Sequence, residues 1–155
     1  MSPNCWYIAG LNFECQQCGG CCSGPSEGYI WVTRREIELI AEFLKLTAGQ
    51  LRQRYLKRVG LRTSIVEQPG NRDCVFLQAI GGQKMCAIYP VRPSQCRSWP
   101  FWSENLASPG AWNRAAQRCP GINRGSFYSY EQIKRIKSAG KWWHNAGQAT
   151  SCSKK

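Results

Sequence analysis

Ten cysteines and a single histidine, His144, in 155 residues constrain this chain more than any other feature. Four of the ten are crowded into Cys15-Gln16-Gln17-Cys18-Gly19-Gly20-Cys21-Cys22. Thiolates three residues apart on a turn can converge on one centre, and Gly19 and Gly20 permit the left-handed backbone that such a knuckle requires. With one histidine in the chain, a multi-ligand site for a soft metal has to be built almost wholly from sulfur. A second group, Cys74, Cys86, Cys96 and Cys119, is widely spaced, while Cys5 and Cys152 stand outside both groups. The adjacent pair Cys21-Cys22 is poorly placed to aim both side chains at one tetrahedral ion. The ligands therefore divide between two sites, as Cys15, Cys18, Cys21 and Cys119 against Cys22, Cys74, Cys86 and Cys96.

Two other uses of cysteine compete with metal binding: buried thiols packing as small apolar residues, and a disulfide knot. The N-terminus has no basic start and no apolar core, and the apolar stretch Ile37 to Leu46 is interrupted by Glu38, Glu42 and Lys45. No secretory signal or membrane span is therefore expected, and a soluble, cytoplasmic protein follows. In a reducing cytosol thiols stay reduced unless a metal takes them. Cysteine is also chosen for its reactivity more than for its packing, which sets the buried-thiol reading behind the metal.

Between the cysteine groups lies a helical insert. Thr33-Arg34-Arg35-Glu36 is a capping box, followed by Ile37, Ile40, Ala41 and Leu44 at helical spacing, which predicts a helix from Arg34 to Leu46. Thr47-Ala48-Gly49-Gln50 repeats the box, and Leu51, Tyr55 and Val59 mark a second helix ending at Gly60, so the two form a helical hairpin. Short extended runs follow, Arg62 to Gln68 and Cys74 to Ile80, in a β-meander ending at Tyr89. Residues 90–125, rich in proline, glycine, serine and tryptophan, show no sustained period and are expected to be irregular, ordered by metal ligation. Ser129-Tyr130-Glu131-Gln132 opens a last helix with Ile133 and Ile136 inward and Gly140 within it. The expected fold is a small α+β, cysteine-rich, metal-bound single domain, with a metal-chelating part over 13–125, a C-terminal helix over 126–146 and a loose tail over 147–155.

The run CxxCGGCC, the segment from Cys86 through Tyr89-Pro90-Val91-Arg92-Pro93-Ser94-Gln95-Cys96 to Phe101, and Cys119-Pro120-Gly121 together resemble the YkgJ-type cysteine-cluster family of zinc- or iron-chelating domains. The resemblance covers about 13–125 and implies a ligand set of Cys15, Cys18, Cys21, Cys22, Cys74, Cys86, Cys96 and Cys119. Cys5 and Cys152 match nothing in the family's pattern. It brings no settled reaction. CxxCxxC followed by a distant Cys-Pro is also the spacing by which ferredoxin-type loops wrap a cubane, which favours a 4Fe-4S cluster over Zn2+.

Arg92 and Arg97 flank Cys96, whose metal complex is net negative, so their guanidinium groups are candidates to stabilise it from the side; both are otherwise surface residues. Trp99, Phe101 and Trp102 are assigned to packing that shields the site. The chain carries a net charge of +12, and from Lys45 to Arg62 it holds no acid. Arg54, Lys57 and Arg58, on one face of the second helix, are the candidate contact surface for an acidic protein or nucleic acid. Aromatic residues do not alternate with these charges along the sequence, which argues for a plain solvated face. His144 beside Trp143 reads as a surface residue. No nucleophile elbow, zinc-protease motif, phosphate loop or carboxylate pair appears. The functions left are an iron–sulfur protein with an electron-transfer or redox role, a zinc-held interaction module, and a carrier that stores or delivers metal.

Overall fold

A computed structural model of the chain describes residues 5–22 and 29–140, the side chain of Cys22 excepted. The expected tail over 147–155, the end of the expected C-terminal helix, His144 and Cys152 lie outside the described residues. The architecture is α+β with antiparallel pairing throughout. The chain divides into two compact units, one of Gln17–Arg97 and one of Met1–Gln16 with Ser98–Lys155. Among the described residues no helix is long and apolar enough to cross a membrane.

In the Gln17–Arg97 unit, strand β2 (Ile30–Val32) leads into helix α1 (Arg34–Leu44) and helix α2 (Ala48–Tyr55). Both helices begin with the expected capping boxes, in which Thr33 and Thr47 accept the backbone N–H of Glu36 and Gln50. Ile37, Ile40, Ala41 and Leu51 form the buried side. The second helix does not reach Gly60. Leu56 turns extended (φ −122°, ψ 152°), and Leu56–Val59 becomes β3, paired antiparallel with β4 (Arg62–Ile65). Local periodicity cannot separate a helical end from a short strand here. The pairing decides, because β4 is bonded on both sides in the order β2-β4-β3 and its ladder satisfies backbone groups that a frayed helix end would leave open. Val32, Leu56 and Ile65 cover the core from one face of this sheet. Arg54, Lys57 and Arg58 therefore do not share a helical face, since Lys57 and Arg58 belong to β3.

The meander is made of separate pieces. β5 (Leu77–Ile80) and β6 (Gln83–Cys86) form a hairpin, and Cys74 meets Glu67 in an isolated bridge. A 3-10 turn at Tyr89–Val91 then leads into α3 (Ser94–Ser98).

The expectation that 90–125 is irregular is corrected across the end of this unit and into the other. That stretch contains α3, α4 (Ser103–Leu106), α5 (Pro109–Arg118) and the start of β7 (Ile122–Tyr128). Helix α5 starts as physical chemistry prefers, with Ser108 as cap and Pro109 in the first turn. Its buried stripe is Ala111, Trp112 and Ala115, too short and too weakly apolar to give a visible period. β1 (Leu11–Phe13) pairs with β7 through a register shift between Asn12 and Phe13. Helix α6 (Tyr130–Ala139) opens with the expected box at Ser129, and Gly140 caps its end rather than lying inside it. The core here is aromatic: Phe101 stacks on Trp112 at 5.9 Å, the Trp6 indole donates to Leu106 O at 2.9 Å, and Ile133 is fully buried. Cys5 is buried in this core and disulfide-bonded. Trp99 packs edge-on against Trp102 at 4.8 Å, and its indole N–H is buried without a hydrogen-bond partner among the described residues.

Candidate metal centre

Cys74, Cys86 and Cys96 come from three segments far apart in sequence, and the Gln17–Arg97 unit brings them into one another's electrostatic reach together with Cys21. Cys74 sits at the bridge to Glu67, where Gln68 Nε2 donates to Cys74 O at 3.1 Å and to Leu77 O at 2.9 Å. Cys86 ends β6, where its Cα faces Leu77 across the hairpin. Cys96 rides on α3, which is held at both flanks. Glu36 Oε1 accepts the Ser94 N–H at 2.9 Å, while the buried Gln95 accepts from Trp31 N at 2.8 Å and donates to Tyr29 O at 2.9 Å. These polar anchors had no sequence signal, since glutamine carries no motif until its backbone partners are known. Cys21 arrives from the glycine knuckle, whose Gly19 has φ 75° and packs so close to Leu77 and Lys84 that a Cβ there would overlap both.

Two of these sulfurs, and that of Cys18, are aimed at by backbone amides two residues on. The Gly20 N–H donates to Cys18 Sγ at 3.4 Å, and the amides of Phe76 and Ile88 stabilise the thiolates of Cys74 and Cys86. Such amides favour the charged sulfur that a metal needs. Burial opposes them: it pushes the Cys74 thiol up to about 11, with the charges of Cys86, Cys21 and Glu67 adding to it. Burial likewise raises Cys86, and it raises Cys96 well above the ordinary thiol range. Arg92 works the other way on Cys86 and Cys96. Its guanidinium lies 3.7 Å above the Tyr89 ring and its Nε donates to Tyr89 O at 3.0 Å, whereas Arg97 is exposed. Crowded thiols, buried at Cys74 and half-buried at Cys86 and Cys96, that resist ionising yet are met by amides and a guanidinium fit a bound cation that supplies the missing positive charge. Among the described residues, no group of three or more Cys, His, Asp or Glu side chains stands at metal-ligand spacing.

The remaining candidates are distributed as follows. Cys18 is exposed in the same unit as the four, and the Cys22 side chain lies outside the described residues. Cys15 and Cys119 belong to the other unit, where the Glu14 N–H donates to Gly121 O at 3.0 Å, so the backbones beside the two cysteines run together. Cys15 is exposed and Cys119 buried. The sequence grouped Cys21 with Cys15, Cys18 and Cys119; within its own unit it lies in the electrostatic reach of Cys74, Cys86 and Cys96. Trp99, Phe101 and Trp102 belong to the aromatic unit.

No solved structure matches the chain. It is 32% identical over 95 residues to the "Uncharacterized protein MJ0661" of Methanocaldococcus jannaschii, a match covering 61% of this chain and 48% of the relative. The chain thus spans about half the length of that relative. Residues 14–120, which take in both cysteine groups, match the family described as "Putative zinc- or iron-chelating domain". The chain belongs to this CxxCxxCC family.

Proposed function

We propose that the protein binds an iron–sulfur cluster through its cysteine thiolates and serves electron transfer or a redox reaction. The observation that carries the reading is the gathering of Cys21, Cys74, Cys86 and Cys96, with amides aimed at Cys74 and Cys86. The CxxCxxC spacing of Cys15, Cys18 and Cys21, as a sequence pattern, supports iron and sulfur over a lone ion. A bound cluster would supply the electron-accepting centre. The chain's own part is to hold the thiolates, to direct N–H groups at sulfur, and to set Arg92 beside two of the ligands, each of which favours added negative charge.

One observation favours zinc as the second reading. The four thiols come from four places within a single unit, a complete sulfur set for a tetrahedral ion that would staple the unit together. Anaerobic purification followed by iron, zinc and acid-labile sulfide analysis separates the two. Iron and sulfide in equal amounts support the cluster, and zinc without sulfide replaces it. Serine at Cys74 or Cys96 is expected to remove most of the metal under either reading. If every cysteine variant kept its metal, or if none were bound at all, chelation by these thiols would fall.

A further inference from the structure

We infer that the outward face of the β2-β4-β3 sheet is a binding surface for single-stranded nucleic acid. The basic segment ending at Arg62 holds one aromatic residue, Tyr55, along the sequence, but antiparallel pairing supplies more from a strand far away in the chain. The register sets Trp31 opposite Ser64 and Ser64 opposite Lys57, in one row across three strands. Tyr29 and Trp31 stack with ring centroids 5.0 Å apart and planes at 15°. The Lys57 ammonium lies 5.3 Å from the Tyr29 ring and the Arg62 guanidinium 5.4 Å from the Trp31 ring. The result is a pair of stacked rings held between two cations over a buried Ser64, with Tyr29 40% exposed.

Among the described residues the charge on this face is uncompensated: Lys57 and Arg62 have no acidic partner there, whereas Arg34, Arg35, Arg72 and Lys84 each pair with a carboxylate. Cations alone would suit any polyanion. The planar Arg62 guanidinium at the end of the stack, with the ring edges beside it, adds a surface on which unpaired bases stack, while Lys57 and Arg62 meet phosphates. A duplex hides its base faces and an acidic protein has none, so the single strand is the partner that uses the whole surface. The segment carrying the rings is held along its free edge, because Gln95 bonds the backbone of both Tyr29 and Trp31. These residues are distinct from the thiols, and the proposal stands apart from the identity of the metal.

The intact protein as isolated is titrated into fluorescein-labelled single-stranded DNA and RNA of mixed sequence, with anisotropy as the readout. Binding to either strand is expected, accompanied by quenching of tryptophan emission. Affinity should fall with salt by about 0.7 in log K per unit log salt for each phosphate neutralised. Arg62→Glu and Lys57→Glu are expected to weaken binding roughly tenfold or more and to flatten that slope. Trp31→Leu should weaken it without changing the slope. Metal content should be the same in all three. Should Trp31→Leu fail to fold, the exposed Arg62→Glu still decides. Equal competition by polyglutamate or duplex DNA, or unchanged binding by Arg62→Glu, would overturn the proposal.

Discussion

One carboxylate, that of Glu36, ties the start of α1 to the helix bearing Cys96: Oε2 accepts the Thr33 N–H and Oε1 accepts the Ser94 N–H, each at 2.9 Å. Capping and anchoring thus fall to a single side chain. Glu36→Ala removes two charge-assisted acceptors and is expected to cost about 1–3 kcal/mol. Glu36→Gln, which keeps acceptor capacity for one of them, should cost less than half of that. Urea unfolding checks both, and an Ala variant with an unshifted midpoint would mean that the Ser94 contact holds nothing.

How much of this was legible follows from where each signal resides. The three capping boxes at Thr33, Thr47 and Ser129 are local hydrogen-bond patterns, and all three stand in the structure. The end of α2 was not legible, because whether Leu56–Val59 is helix or strand is decided by β4, not by its own residues. Helix α5 was hidden by its composition, since alanine and a lone tryptophan make a weak stripe. At the site, candidate thiols are read directly from spacing, but the company of Cys21 depends on how the knuckle packs against Leu77 and Lys84. The rings beside Lys57 and Arg62 were invisible for the same reason: sheet register is a long-range property.

That packing makes Gly19 a sensitive position. At φ 75° a side chain is strained, and a Cβ would stand 2.8 Å from Leu77 Cδ1 and 2.9 Å from Lys84 Cβ. Gly19→Ala is therefore expected to shift the knuckle off the β5-β6 hairpin at a cost of roughly 1–3 kcal/mol. Competition with a chromophoric chelator should show metal affinity reduced by about tenfold or more. As a control, Gly49→Ala in α2, where the nearest neighbour is Thr47 Oγ1 at 3.8 Å, should leave affinity alone and add about 0.5–1 kcal/mol of stability.

Arg92 and Arg97 both flank Cys96 in sequence, yet only Arg92 is seen by the thiols of Cys86 and Cys96. Loss of its positive charge should make a net-negative metal–thiolate centre harder to form. Arg92→Met is expected to weaken metal binding about tenfold, and Arg92→Lys to recover part of it, lacking the planar stack on Tyr89. Arg97→Met should bind as the unaltered chain does. Equal losses from Met at the two positions, read by the same chelator competition, would show that neither arginine acts on the centre specifically.

The alkaline limit of the aromatic unit is set in part by Tyr7. Burial, with the nearby Tyr130 adding to it, pushes the Tyr7 phenol up to about 12 from an ordinary value of 10.0. The side chain is 2% exposed, and its ring lies 5.9 Å from that of Tyr130. A phenol that gives up its proton more readily unfolded than folded favours the native state only while it stays protonated. Its contribution is therefore complete below about pH 10 and falls as pH rises through the window between 10 and 12, by up to about 1.4 kcal/mol per pH unit. Other groups titrate in the same window, so the informative quantity is the difference between the unaltered chain and Tyr7→Phe, which has no proton to lose. Below pH 9 the two stability curves should run parallel in urea unfolding, and above pH 10 the unaltered chain should lose stability faster by about 2–3 kcal/mol in all. Parallel curves up to pH 12 would show that Tyr7 ionises as easily folded as unfolded, and that the packing of Cys5, Tyr7 and Tyr130 opens before the phenol does.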